Sequence, residues 1–228
     1  MARRTLWAVI GLAVLAIAVQ GFVWHSAQRG VLGFGGDAEA LGRLSGTATS
    51  NAAIFAHMIL GALVTLLSVV QLAGPVRRRW PRVHRVSGRV LAVAALLTAL
   101  GGLAYIALRG TVGGPIMSVA FGLYGVLMAV AAVQAPRFAI AGDYARHRRW
   151  GLRLIVLGLG SWIYRVHYGL WYGIGCSLGP DTCGLAANDA FTGAFDIVTM
   201  FAFYLPYLAL LELLFRLRRG SVRNISHS

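Results

Sequence analysis

Fifteen of the 21 basic residues in this chain, all of them arginine, fall into three short clusters: Arg77 to Arg89, Arg137 to Arg153 and Arg216 to Arg223. Between the clusters run long apolar stretches. The alternate connections, at 25–50, 109–114 and 175–191, are almost free of arginine. Alternation of this kind is the positive-inside pattern of a chain that crosses a membrane several times, and it sets orientation as well as location. Few other folds are compatible with it.

Composition agrees. The chain is 58% hydrophobic and only 12% charged, with a mean hydropathy of +0.70, outside the range of soluble domains. A net charge of +14 would suit nucleic acid, but the arginines sit in short loops beside apolar runs, without a basic helical stripe or interleaved aromatics. Their natural partner is the anionic lipid headgroup surface on the cytoplasmic side. Nucleic acid is not an expected partner.

A hydrocarbon layer roughly 30 Å thick needs about 20 apolar residues per helix. Six segments qualify: 5–24, 52–74, 88–108, 115–136, 151–174 and 192–215. The expected fold is therefore all-α, one integral membrane bundle of six transmembrane helices. Counting arginines near the segment ends places both termini in the cytoplasm, and 216–228 reads as a polar cytoplasmic tail. Arg3 and Arg4 before an apolar run resemble a signal peptide, yet the run to Trp24 is long and no small-x-small cleavage site follows. A retained first helix is the expectation. Residues 25–51 read as an outer loop with a short interfacial helix near Ala38 to Leu44. Gly169 and Gly173, four apart, would let helices pack closely.

Gln71, His84, Arg85 and Gly88 recur 63 residues later as Gln134, His147, Arg148 and Gly151. Each set spans a helix end, a basic inner loop and the next helix start. This suggests that segments two and three, and four and five, are a parallel duplication.

Ionisable groups at membrane depth are costly and mark functional sites by default. At 1.5 Å per residue, Arg165 and His167 lie roughly 22 to 25 Å above Trp150, and His57 roughly 30 Å above Arg77. Asp196 and Arg109 fall at a similar level. An outer polar layer of His57, Arg109, Arg165, His167 and Asp196 is the leading candidate site. His57 with His167 would supply two axial imidazoles to a haem b, with Arg165 or Arg109 on its propionates. The alternative is that each histidine bonds a backbone carbonyl or Asp196 and merely joins helices. Arg165 and His167, two apart, cannot face the same cavity; Tyr164, His167 and Trp171 share one face, Arg165 shares another with Ser161.

An inner layer holds His84 and His147, each followed by arginine. They are a weaker second ligand pair, or part of an anion site with Arg85, Arg89, Arg148 and Arg153 at helix starts. Asp143 and Glu212 are expected to pair with Arg146 and Arg216. Cys176 and Cys183 share an outer connection, which admits either a small-loop disulfide or two thiols. Apart from haem iron no metal is expected, because the cysteines lack histidines at ligand spacing. No phosphate-binding loop, His-Glu-x-x-His or Gly-x-Ser-x-Gly occurs, so nothing points to an ATPase or hydrolase.

Together His57, Pro81-x-x-His84-Arg85-x-x-Gly88-Arg89, His147-Arg148-x-Trp150-x-x-Arg153 and Arg165 resemble a family of uncharacterised bacterial membrane proteins grouped as a domain of unknown function. The likeness runs from about 55 to 167 and implies a bundle of about six helices in the bacterial cytoplasmic (inner) membrane. Its histidines give a looser similarity to di-haem transmembrane cytochromes b, which pair histidines at two membrane levels. This chain departs from that pattern, since His84 and His147 precede their apolar segments and segment four has no histidine. The functional expectation is haem- or quinone-linked electron transfer. The alternatives are a small-solute or lipid-binding carrier, or a structural or assembly partner of a membrane complex, with a protein partner or a homo-oligomer allowed by either.

Overall fold

The computed structural model describes residues 2–37, 46–175, 177 and 191–225. Its elements are α1 Ala2–Phe34, α2 Ala48–Leu72, the short α3 Gly74–Arg79, α4 Pro81–Arg109, α5 Gly114–Ile140, α6 Tyr144–Leu170, α7 Ala194–Ala202 and α8 Leu205–Ile225. A π-helical turn, Trp171–Gly175, extends α6. No strand occurs among the described residues.

Five runs are long and apolar enough to cross a membrane: Val9–Phe34, Ala48–Leu72, Pro81–Arg109, Gly114–Ile140 and Ala194–Leu217. The chain is thus a helical membrane protein with several apolar helices. The expected fifth segment, 151–174, lies in α6 and is absent from that set. At 27 residues α6 has the length, but its arginines and histidines lower its apolar character.

Local chemistry places the helix starts. Thr47 caps α2 by accepting from the Ser50 amide at 3.2 Å. Pro81 occupies the first turn of α4, where its missing N–H costs nothing. Asp143 caps α6 by accepting from the Arg146 amide at 2.9 Å. These caps move α4 and α6 back from the expected 88 and 151, because hydropathy marks the hydrocarbon boundary and the cap marks the helix. His84 and His147 consequently lie inside first turns rather than ahead of their helices. The first helix likewise runs on to Phe34, ten residues past the expected 24. The region around Ala38 to Leu44 lies outside the described residues, as do Cys176 and Cys183.

α2, α4, α5 and α6 pack as a closed ring, each against the next, with α6 returning to α2. α1 lies along α2, while α7 and α8 lie against α5 and α6. The ring encloses Val64, Leu91, Ala95, Met128, Ala131 and Leu157, with Phe203 and Tyr204 inserted from the α7–α8 junction. Outward faces carry Val93, Leu97, Val119 and Val133 exposed, an apolar surface whose fitting solvent is lipid.

Glycines of α6 let α2 and α5 approach it closely, though not the expected ones. A Cβ on Gly158 would run into Ser68 and Val64, and one on Gly160 would meet Tyr124 at 2.9 Å. Gly169 and Gly173 face open space. The last expected segment, 192–215, is broken at Phe203 and Tyr204, both fully buried. The Tyr204 hydroxyl donates to the Ala120 carbonyl at 3.1 Å, which holds the break against α5.

Candidate functional site

His57 projects from α2 into α4. Its Nδ1 donates to the Thr98 carbonyl at 2.7 Å, and the ring lies against Gly102, whose hypothetical Cβ would be 3.0 Å from Nδ1. His167, on α6, turns toward α8. Its Nε2 is 2.9 Å from the Tyr207 hydroxyl on α8, and the two rings stack. The histidines expected as an axial pair therefore turn to different neighbours, His57 to α4 and His167 to α8, and do not face one another.

Asp196, fully buried, starts α7. One carboxylate oxygen accepts from the Tyr168 hydroxyl at 2.6 Å, the other from the Gly193 amide at 3.1 Å. Tyr168 in turn accepts from the Tyr164 hydroxyl at 3.3 Å. The group is a helix-start clamp within aromatic packing, with Phe195 stacked on Trp171 at 4.5 Å. Arg109 closes α4 and packs beside Gly46 at the start of α2. The outer layer is thus one level of the bundle but not one cavity.

Arg165 is different. Its Nη1 donates to the Ser161 carbonyl one turn earlier on α6 at 2.9 Å, and its guanidinium lies 4.6 Å from the Phe22 ring of α1. Among the described residues it has no carboxylate partner. Arg165 lines a surface groove of about 370 Å³ between α1 and α6 with Ala18, Gly21, Phe22, His25 and Trp162. The Trp162 indole N–H donates to the Ala18 carbonyl at 3.1 Å and ties the α6 wall to the α1 wall. Below it, Val19, Val69, Ile155 and Leu159 close the space with apolar packing.

Arg165 stands out in the sequence as a charge at membrane depth, whereas the α1 half of this groove does not. Ala18, Gly21, Phe22 and His25 share one helical face by their spacing of three and four, a signal visible in the sequence. Nothing in it says which helix that face meets.

At the inner end, the Gln71 amide donates to the His84 carbonyl at 3.1 Å and to Ser87 at 2.7 Å. His147 Nδ1 donates to the Ala135 carbonyl at 2.8 Å. His84 Nδ1 and Gln134 Oε1 are buried without a partner. The positions related by the 63-residue repeat therefore do not make corresponding bonds. Arg153 pairs with Glu212 at 2.7 Å and lies over Trp150 at 4.4 Å, so Glu212 joins α6 rather than Arg216. Asp143 pairs with Arg146 at 3.3 Å. The remaining anion-site candidates, Arg85, Arg89 and Arg148, sit in the first three turns of α4 and α6. Among the described residues, no cluster of three or more potential metal ligands exists.

A family model described as a predicted membrane protein, DUF2306, matches residues 54–215, more than half of the chain, and the chain belongs to that family of unknown function. The match begins within α2, so α1 precedes it. No curated protein and no solved structure matches the chain.

Proposed function

We propose that this DUF2306 protein crosses the bacterial inner membrane six times, with both termini in the cytoplasm, and binds an amphiphilic ligand that enters sideways from the lipid. One observation carries the reading: Arg165, a cation without a carboxylate partner among the described residues, lines a groove open at the bundle surface. With Trp150 at the inner boundary, Arg165 lies roughly 22 Å along α6, inside the hydrocarbon. An arginine there usually snorkels toward the nearer surface. This one is held back toward the preceding turn by Ser161, so its charge stays within the bilayer. An intramembrane charge held in that way calls for an opposite charge.

Electron transfer through a haem between His57 and His167 draws no such support, since each imidazole is committed to its own neighbour. The carrier reading uses what those bonds leave over.

The test is to extract the purified protein with organic solvent and identify retained amphiphiles by mass spectrometry, alongside an absorption spectrum. The expectation is a retained amphiphile near one per chain, depleted in Gly21→Leu, and no Soret band. A stoichiometric Soret band lost in His57→Ala would return the protein to electron transfer. Absence of any retained amphiphile would remove the lateral-binding reading.

A further inference from the structure

Resting on the lateral-binding reading, we infer that the Arg165 groove takes an amphiphile with one small oxyanion, a carboxylate or a phosphate monoester on a hydrocarbon tail, and rejects zwitterionic phospholipid. The guanidinium supplies the first argument. Arginine presents two parallel N–H groups along its Nε–Nη2 edge, a match for an acceptor with two oxygens. Ser161 engages Nη1, and no other protein group bonds Arg165 among the described residues. Phe22 covers one face of the guanidinium, so an anion approaches that edge in the plane.

Charge supplies the second. Arg165 has no carboxylate partner among the described residues. A guanidinium so placed attracts an oxyanion and opposes the ammonium of a zwitterionic headgroup. Three described carboxylates are engaged elsewhere: Asp143 by Arg146, Glu212 by Arg153, and Asp196 by Tyr168 and Gly193.

Size and depth supply the third. About 370 Å³ is near the lower end of small-molecule sites. A headgroup reaching Arg165 must also leave the aqueous interface, which costs least for a compact, singly charged group. The apolar packing of Val19, Ile155 and Leu159 under the groove offers no polar path to the inner leaflet. The site therefore holds a headgroup rather than passing it across.

The experiment uses the full chain in phosphatidylcholine nanodiscs, so that any ligand must bind against zwitterionic lipid. The thermal midpoint is read by intrinsic fluorescence with oleate, oleyl phosphate, oleyl alcohol or inorganic phosphate added. Oleate, oleyl phosphate or both should raise the midpoint by several degrees, and which one does so names the anion. Oleyl alcohol and inorganic phosphate should not. Arg165→Gln should weaken binding at least tenfold. Gly21→Leu should abolish it by filling the groove from a position where the Cβ itself meets open space. Arg146→Gln, at the exposed start of α6, should bind as the parent does.

Oleyl alcohol binding as tightly as oleate, or Arg165→Gln binding normally, would overturn the ligand class while a block by Gly21→Leu preserved the lateral site. An equal shift from inorganic phosphate would remove the amphiphile from the inference. Failure of Gly21→Leu to alter any binding would take away the groove, and with it the reading underneath.

Discussion

Between Gly101 and Gly102 the surface of α4 is flat enough for an imidazole, and His57 occupies that space. A Cβ on Gly101 would come 3.0 Å from the Ala53 carbonyl, and one on Gly102 3.0 Å from His57 Nδ1. Distances this short leave the ring only a few tenths of an ångström, while its Nδ1 is tied to Thr98. Gly102→Ala should therefore destabilise the protein by about 1–2 kcal/mol, as overpacking does. Because the strain lies between two side chains, part of that loss should disappear in a His57→Ala background. Chemical unfolding of the four combinations in detergent measures the coupling. Additive losses would show that His57 is not what Gly102 accommodates. His57 was legible in the sequence as a costly polar group at depth. Its partner was not, since a backbone carbonyl one helix away leaves no mark in residue type.

Over 205–217, α8 has no buried residue. It touches the bundle through Leu208 packed on the core, Tyr207 against His167, Glu212 on Arg153, and Phe215 beneath Arg149 and Arg153. Losing one partly buried ion pair from so few anchors should show locally. Glu212→Gln is expected to raise amide exchange in 205–217 about three- to tenfold, matching roughly 0.6–1.4 kcal/mol, and to leave α2 and α4 unchanged. Exchange in α8 indistinguishable from the parent would mean that packing alone holds the helix. At the other end of this unit, Asp196 joins α7 to α6 through Tyr168. Asp196→Ala strips the Gly193 amide and the Tyr168 hydroxyl of their acceptor together, and should cost about 1–3 kcal/mol in the same unfolding assay; a neutral result would deny the clamp. The helices themselves were readable from the apolar runs, and their ends were read short for one physical reason. Hydropathy reports where hydrocarbon stops, whereas Thr47, Pro81 and Asp143 report where helices start. The break at Phe203 and Tyr204 had its own signal in Pro206, well suited to a first helical turn. It was hidden because the residues around it are as apolar as a continuous span.

For the whole molecule the arginine count and the packing bear on the same question, whether α6 crosses. By composition it falls short of the five apolar runs. Its position argues otherwise. α6 closes the ring between α5 and α2, burying Leu154, Leu157, Gly158 and Gly160, and its polar groups are concentrated at its two ends. Arg146, Arg148, Arg149 and Arg153 lie at the start; Arg165 and His167 lie near the end. Parity adds an independent argument. With α6 crossing, the chain spans six times and Arg216 to Arg223 return to the cytoplasmic side with the other clusters. With α6 lying flat, five crossings would put that cluster outside, against the bias that orients membrane proteins. A fluorescent protein that folds only in the cytoplasm, fused after Ser228, should therefore be bright. Alkaline phosphatase, active only outside, should be silent there and active when fused after Ser177. A phosphatase-active C-terminus would remove one crossing. It would also withdraw Arg165 from the hydrocarbon, and the groove beside it would lose the depth that makes a charge without a carboxylate partner among the described residues a demand for a ligand.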